Sequence, residues 1–323
     1  MDIIKYSNKS LSFKRYLLAG DIGGTKTKLG VVGIGKKPEI VFTMEFRTAV
    51  LKSVVPAIEK IVSYAKEKHD IRLNDCCLAV AGPGDERFVK TINIKWNVDA
   101  KEIQKKTSLK KVLLVNDFHA IGYGLRFAGK KDLFVVQEGK GKGNKAIIGA
   151  GTGLGKSIVI EDKPFASEGG HADFPCQDGL DMKIIRFIRK KRKVSNVNYE
   201  ELLSGRGIEA IYEFLSGEKS KAAGISKARD KDSRKAMKIF VKYYARCAKN
   251  FALDTLSSGG VYIAGGIAVK NKDMFKTKGF TKEFCDADKF SSILSRVPVY
   301  IITNYDISIL GAASILNAKT KIL

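Results

Sequence analysis

The sequence predicts an α/β protein with two domains. Short apolar runs alternate with longer segments whose apolar residues recur at helical spacing, which is the pattern of strands connected by helices. The length of 323 residues exceeds what one hydrophobic core usually serves. Two glycine-rich turns, one near the N-terminus and one near the middle of the chain, lie between apolar runs. We therefore expect an N-terminal extension at 1–16, a small α/β domain at 17–125 plus 306–323, a large α/β domain at 126–305, and a cleft between the domains.

The elements follow one another in a simple order. In the first half, periodicity predicts a hairpin at 17–32, a strand at 40–46, a helix at 54–66, a buried strand beginning at Cys76, a strand at 112–115 and a helix at 118–128. In the second half it predicts a hairpin at 146–160, helices at 182–190, 208–215 and 233–255, a buried strand at 261–264 and a helix at 308–316. The segment 219–232 is polar and charged, so we expect a mobile connection there.

The chain is strongly basic. Its 58 Lys and Arg residues exceed its 34 Asp and Glu residues, which gives a net charge of +24. This charge favours anionic partners such as nucleotides or phosphosugars and raises a nucleic acid as an alternative. The densest basic run, RFIRKKRK at 186–193, has the pattern of a helix end with a solvated face. We therefore do not expect a nucleic-acid partner.

The cysteines and the N-terminus indicate a cytoplasmic protein. The five cysteines are odd in number and lack the spacing of a zinc site, which favours a reducing compartment. Residues 1–16 contain too little apolar sequence for a secretory signal or a membrane span. We therefore expect a tail on a cytoplasmic enzyme that has no membrane partner.

The first glycine-rich turn, GDIGGT at 20–25, suits a phosphate group. Gly23 and Gly24 have no side chains, so the backbone can expose consecutive N–H groups, and Thr25 adds a hydroxyl. Asp21 can hold the accompanying magnesium ion, directly or through a water molecule. An ordinary hairpin is the alternative, because Gly-Gly also forms two-residue turns.

Two later glycine segments favour the nucleotide interpretation. The run AIIGAGTGLGKSIVI at 146–160 repeats the order of strand, glycine turn and strand, with Thr152 in the turn. It lacks the strand-to-helix transition of a Walker A loop. The run GGVYIAGGI at 259–267 is a strand that ends in Gly265 and Gly266, where an adenine could lie against the backbone. Close packing of a strand against a helix would also require glycine there.

Polar residues after the strand at 112–115 and in a later glycine loop are candidates for chemistry. Asp117, which follows Asn116, could accept the proton of a substrate hydroxyl that attacks phosphorus, although a helix N-cap is its structural alternative. Glu168 and His171 flank two glycines in SEGGHADF and suit a polyhydroxyl ligand, although loop residues of these types are often only solvated. The pair at 200–201 precedes LLSGRG, where acids commonly serve a helix start.

Taken in order, these segments resemble the bacterial-type ATP-dependent glucokinases of the hexokinase and actin-like superfamily, which have a two-domain, ribonuclease H-like fold. The resemblance extends from about residue 17 to 315. It is carried by GDIGGT, AGP with NIKW, LVNDF, GAGTGLG, SEGGHADF, ELLSGRG and GGVYIAGGI. One departure is Arg206, which stands where the family often has proline.

The resemblance implies a glucokinase that uses ATP and Mg²⁺, phosphorylates the 6-hydroxyl of glucose in the interdomain cleft and forms a homodimer. A kinase of another hexose such as mannose, fructose or an amino sugar, or a nucleotide-dependent regulator, is the alternative. The ATP-binding residues it implies are Gly20, Asp21, Ile22, Gly23, Gly24, Thr25, Gly151, Thr152, Gly153, Gly265 and Gly266. The sugar-binding residues it implies are Asn116, Asp117, Glu168, His171 and Glu200, with Asp117 as the base and Glu200 favoured over Glu201 by spacing.

Overall fold

The structure is a computed structural model that describes residues 2–5, 13–92 and 94–320, of which 2–5 and Thr320 are described by their backbone alone. Met1, residues 6–12 of the expected extension, Asn93 of the NIKW segment, and 321–323 of the expected small domain lie outside the described residues.

Strands and helices alternate along the described chain, and the predicted α/β class is confirmed. The strands are β1 Asp2–Lys5, β2 Tyr16–Ile22, β3 Lys26–Ile34, β4 Pro38–Arg47, β5 Asp75–Val80, β6 Phe88–Val89, β7 Val98–Asp99, β8 Lys111–Asn116, β9 Leu133–Gln137, β10 Lys145–Ala150, β11 Leu154–Ile160, β12 Lys163–Ser167, β13 Val261–Ala264 and β14 Val299–Ile302. The helices are α1 Val55–His69, α2 Ala100–Lys106, α3 Asp117–Gly124, α4 Gly179–Arg192, α5 Tyr199–Leu202, α6 Gly205–Ser216, α7 Ala222–Lys227, α8 Lys231–Asp254, α9 Gly266–Lys270, α10 Lys272–Phe275, α11 Lys278–Cys285, α12 Ser291–Leu294 and α13 Ile307–Thr320.

The chain divides into two compact units. Unit 1 comprises Met1–Ala128, Asp162–Pro164 and Tyr305–Leu323, and unit 2 comprises Gly129–Glu161 and Phe165–Asn304. The assignment of Asp162–Pro164 to unit 1 could not be predicted from the sequence. This segment is held there by Arg126, whose Nη2 donates a 2.7 Å hydrogen bond to the Asp162 carbonyl oxygen.

In unit 1, the described strands form a six-stranded sheet in the order β1-β4-β3-β2-β5-β8. The first four strands are antiparallel neighbours, whereas β5 runs parallel to β2 and β8 runs parallel to β5. Parallel neighbours require a crossover connection, which α1 supplies before β5 and α2 supplies before β8. This topology places the carboxyl ends of β2, β5 and β8 at one edge of the sheet.

Helices cover both faces of this sheet because successive residues of a strand point to opposite sides. Leu18 of β2 packs in a cluster with Ile58 of α1, whereas its neighbours Leu17 and Ala19 pack in a cluster with Ile309 of α13. The apolar run before the first glycine turn is therefore a strand that is buried on both faces.

The beginning of the expected N-terminal tail is part of this sheet. Asp2–Lys5 pairs antiparallel with residues 42–45 of β4. The sequence did not indicate this strand, because its four residues are too short for a periodic signal and its partner lies far along the chain.

In unit 2, the described strands form a sheet in the order β12-β11-β10-β13-β14-β9. Strand β11 is antiparallel to β10. Strand β13 runs parallel to β10, and β14 runs parallel to β13. The succession β11-β10-β13-β14 therefore repeats the succession β3-β2-β5-β8 of unit 1. In both units a hairpin with a glycine turn is followed by two parallel strands.

The three helices predicted in unit 2 are present as α4, α6 and α8, and the structure adds shorter helices that were not predicted: α5, α7, α9, α10, α11 and α12. The basic run at 186–193 does form the end of a helix, since α4 ends at Arg192. The connection expected to be mobile instead contains α7, whose Ile225 is buried in the core of the unit. A single buried apolar residue in a charged segment was too weak a signal for a helix. Within the described residues, the structure contains no helix of the length and apolar character that a membrane crossing requires.

Candidate active site

The carboxyl ends of neighbouring strands in unit 1 bring the first glycine turn to the same sheet edge as Asp117. Ile22 of β2 lies beside Val80 of β5, and Val80 lies beside Asn116 of β8. Neighbouring strands are about 4.8 Å apart, so the ends of β2 and β8 are separated by about 10 Å. The turn at 23–25 and the residues at 116–117 therefore form one cluster in unit 1.

Hydrogen bonds within the protein hold the first glycine turn at Gly23. The N–H of Gly23 donates a 3.0 Å hydrogen bond to the Lys26 carbonyl oxygen, and the Thr48 hydroxyl donates a 2.8 Å hydrogen bond to the Gly23 carbonyl oxygen. The Gly23 N–H is therefore already used, which differs from the expectation that it faces a phosphate. In the described chain, the N–H groups of Gly24 and Thr25 have no protein partner and stay available for an anion.

Asp21 lies at the end of β2 and is held from α13. The Ser308 hydroxyl donates a 2.6 Å hydrogen bond to Asp21 Oδ2, and beside it Lys28 forms an ion pair with Asp306. Burial raises the pKa of Asp21, while the Ser308 hydrogen bond and the charge of Lys28 lower it in part. Ser308 could not be predicted as a partner of Asp21, because the two residues lie far apart in the chain.

Of the two roles that the sequence left open for Asp117, the helix N-cap belongs to Asn116. Asn116 is the N-cap of α3, and its Oδ1 accepts hydrogen bonds from the N–H groups of Phe118 and His119 at 2.9 and 3.1 Å. Asp117 is the first residue of α3, and its Oδ1 accepts a 3.0 Å hydrogen bond from Phe118 N–H. A helix N-terminus is a favourable place for a negative charge. The cap is therefore supplied by Asn116 rather than by Asp117.

In unit 2, the second glycine turn lies beside the glycine pair after β13. Strands β10 and β13 are parallel neighbours, and Gly149 lies beside Ala264. Gly265 follows with φ of +93°, and a Cβ there would lie 2.5 Å from the Ala150 carbonyl oxygen, so only glycine fits. The turn at 151–153 is exposed in its first two residues, and no protein atom outside the turn lies within 4 Å of where a Gly151 Cβ would be.

The loop with Glu168 and His171 is held against the second glycine turn. Residues Gly169–His171 form one turn of 3₁₀ helix, and a Cβ on Gly170 would collide with the Leu154 carbonyl oxygen. Both side chains are exposed, and Glu168 Oε2 lies 3.8 Å from His171 Nε2. The loop therefore presents a carboxylate and an imidazole to solvent next to the turn.

The structure also separates Glu200 from Glu201. Glu200 Oε2 accepts a 2.9 Å hydrogen bond from Leu154 N–H, directly after the second glycine turn. The Glu201 carboxylate points elsewhere and forms an ion pair with Arg192. Both acids lie in the first turn of α5, as a helix start predicts, but only Glu200 contacts the turn. The turn at 151–153, the loop at 168–171 and Glu200 form one cluster in unit 2.

Neither a metal cluster nor a disulfide is formed by the side chains that the structure describes. No group of three or more His, Cys, Asp or Glu side chains there is placed to hold a metal ion. All five cysteines are free thiols.

Two α/β units, each with a glycine turn at the end of a strand and polar side chains in the same unit near it, define an ATP-dependent sugar kinase with the hexokinase and actin-like fold. The family described as Glucokinase matches residues 18–319, and the chain belongs to this family. It is 33% identical to the glucokinase of Nostoc sp. (strain PCC 7120), over 92% of this chain and 97% of that protein.

Solved structures agree with this assignment. The crystal structure of a glucokinase from an Antarctic psychrotroph superposes with a TM-score of 0.79 at 25% identity, over 94% of this chain and 99% of that chain. The fold is also shared with the glucokinase of Balamuthia mandrillaris, crystallised in complex with glucose, with a TM-score of 0.81 at 19% identity and 94% of each chain covered. The resemblance stated from the motifs is thus confirmed, and the chain is an ATP-dependent hexose kinase.

Proposed function

We propose that this chain transfers the γ-phosphoryl group of MgATP to the 6-hydroxyl of glucose and releases glucose 6-phosphate and ADP. The observation that carries the proposal is the register of β2, β5 and β8, in which the first glycine turn and Asp117 lie at one sheet edge. Phosphoryl transfer depends mainly on positioning and on charge stabilisation, and this edge offers backbone donors and a carboxylate close together.

The phosphate groups of ATP would be bound by backbone N–H groups. In unit 1 these are the N–H groups of Gly24 and Thr25, and in unit 2 those of Thr152 and Gly153. The open space beside Gly151 supports this assignment, because packing within the protein does not explain a glycine there. The adenosine would lie against the backbone of 265–266. The predicted cleft between the two units, with both substrates in it, stays a prediction.

Asp21 would hold the magnesium ion. Its Oδ2 is occupied by Ser308, and among the described residues its Oδ1 has no hydrogen-bond donor. A carboxylate oxygen is a ligand that Mg²⁺ prefers, and the ion usually takes its other ligands from phosphates and water. The bound ion would neutralise charge on the phosphate oxygens.

Asp117 would act as the general base. Its carboxylate would accept the proton of the 6-hydroxyl as that oxygen attacks the γ-phosphorus, and such a base contributes about 10²- to 10⁴-fold to the rate. Glu168, His171, Glu200 and the Nδ2 of Asn116, for which the described residues offer no hydrogen-bond acceptor, would hold the other sugar hydroxyls. Polar groups of this kind discriminate between sugars, because a sugar that lacks the matching hydroxyl leaves them unpaired.

We further propose a homodimer in the cytoplasm. Five free thiols are compatible with a reducing compartment. Light scattering of the purified protein tests the assembly.

A coupled assay of ADP release across a sugar panel tests the proposed reaction. The panel contains glucose, mannose, fructose and glucosamine, each with MgATP. We expect the highest kcat/KM for glucose. A higher value for another hexose would assign the site to that sugar, and ADP release without dependence on sugar would refute a sugar kinase.

A further inference from the structure

We infer that Arg206 is a positioning residue for Glu200 and thereby sets the affinity for the sugar. The inference rests on the proposed sugar-binding role of Glu200 and adds a residue that this role does not include.

Arg206 is an unfavourable residue for its place in the helix. It is the second residue of α6, after the N-cap Ser204, and the first turn of this helix contains no acidic residue. The positive end of the helix dipole repels a cation there. A residue that breaks a local rule is commonly retained for function.

The side chain of Arg206 turns away from its helix toward the candidate sugar site. Its Nη2 lies 3.4 Å from Glu200 Oε1, and no other partner of its guanidinium is found among the described residues. The Glu200 side chain is mostly buried, with 20% of its surface exposed, whereas the Arg206 side chain is 56% exposed.

Each of the two carboxylate oxygens of Glu200 thus has its own partner. Leu154 N–H binds Oε2, and Arg206 binds Oε1, so that the carboxylate is fixed beside the second glycine turn. The backbone of the segment at 205–206 is held by other hydrogen bonds. Gly205 N–H donates a 3.0 Å hydrogen bond to the Gly151 carbonyl oxygen. Arg192 Nη2 donates a 2.8 Å hydrogen bond to the Arg206 carbonyl oxygen. Backbone contacts therefore hold the segment without the Arg206 guanidinium, whose remaining role is to orient the carboxylate.

The inference predicts a selective effect on the sugar. In the full-length protein, Arg206→Gln should raise the KM for glucose by about two- to fivefold, the range that a partly exposed ion pair supports, with kcat and the KM for ATP unchanged. Arg206→Lys, which keeps a cation, should restore part of the affinity. The melting temperature of Arg206→Gln should stay the same or rise, because a cation is removed from a helix N-terminus. Arg229→Gln, an exposed arginine of the same unit, is the control and should change none of these values.

A double-mutant cycle with Glu200→Gln tests whether Arg206 acts through Glu200. We expect Arg206→Gln to raise the KM for glucose in the natural chain and to have no further effect in the Glu200→Gln chain. An equal rise in both backgrounds, a change confined to the KM for ATP, or an unchanged KM in Arg206→Gln would overturn the inference while leaving the proposed function intact. An unchanged KM for glucose in Glu200→Gln alone would instead remove Glu200 from the proposed sugar site, and the inference with it.

Discussion

The hydroxyl of Ser308 donates a 2.6 Å hydrogen bond to Oδ2 of Asp21, which joins the last helix of the chain to the end of its first long strand. The bond favours the ionised carboxylate. It acts against burial, which raises the pKa of Asp21. The charge state of the proposed magnesium ligand therefore depends on a residue that lies far from it in the sequence.

Replacing Ser308 by alanine should move the acid limb of the activity profile to higher pH. Loss of the hydroxyl removes one of the two influences that lower the pKa of Asp21, so the carboxylate protonates at a higher pH and releases magnesium sooner. The measurement is kcat/KM for glucose against pH at saturating MgATP, with the exposed Ser195→Ala as the control. An acid limb at the same pH in Ser308→Ala would contradict the prediction.

Replacing Asp117 should abolish turnover without unfolding the protein. We expect Asp117→Asn and Asp117→Ala to lower kcat by at least about 10²-fold, because the proton of the sugar hydroxyl then has no acceptor. Binding of ATP, followed by calorimetry, should be largely retained. Asp273→Asn is a matched control, since Asp273 is also an acid in the first turn of a helix. Near-normal turnover in the Asp117 variants would exclude this residue as the base.

Replacing Glu168 or His171 should weaken glucose binding more than it slows the reaction. Each side chain would supply hydrogen bonds to sugar hydroxyls, so Glu168→Gln and His171→Ala should chiefly raise the KM for glucose. Steady-state kinetics with glucose varied at saturating ATP measures the effect, and Glu161→Gln, an exposed acid of the same unit, is the control. If both variants keep the natural KM, the loop does not bind the sugar.

Replacing Arg246, the centre of a buried ion network in unit 2, should lower the stability of that unit. Arg246 is fully buried, and its Nη1 and Nε lie 2.6 and 2.7 Å from carboxylate oxygens of Asp181 and Glu283. Arg246→Met would leave both acids without their cation, which should destabilise the unit by about 3–5 kcal/mol. Urea denaturation followed by circular dichroism measures the loss, with the exposed Arg189→Met as the control.

The same network offers a second test. Replacing Arg246, Asp181 and Glu283 together by apolar residues should restore much of the stability, because no charge is then left buried and unpaired. A triple variant less stable than Arg246→Met would show that packing, rather than the unpaired charges, determines the loss.

The sequence indicated those parts of the site that lie within continuous segments. The turns at 23–25 and 151–153, the strand end at 116–117 and the loop at 168–171 each combine glycine or acidic residues with a neighbouring apolar run. Such signals are local, because both the strand and the polar residue that ends it lie within a few positions of one another. Their assignment to ATP and glucose came from the resemblance and stays a prediction residue by residue.

Contacts between distant residues could not be predicted in the same way. The pairs Ser308 with Asp21 and Leu154 with Glu200 join segments that the sequence keeps apart. The order of the strands brings them together, and single-sequence periodicity does not specify that order. The contact of Arg206 with Glu200 likewise could not be predicted, because a resemblance between segments does not specify which side chains touch.

Strand β1 has a practical consequence for anyone who shortens this protein. The family match begins at residue 18, so a truncation that follows this match would remove the residues before it. Yet Asp2–Lys5 covers the outer side of β4, and a truncated chain would leave that strand's N–H and C=O groups open at the rim of the sheet. Exposed edge strands of this kind pair with other chains, so the truncated chain should aggregate more readily than the chain that retains β1.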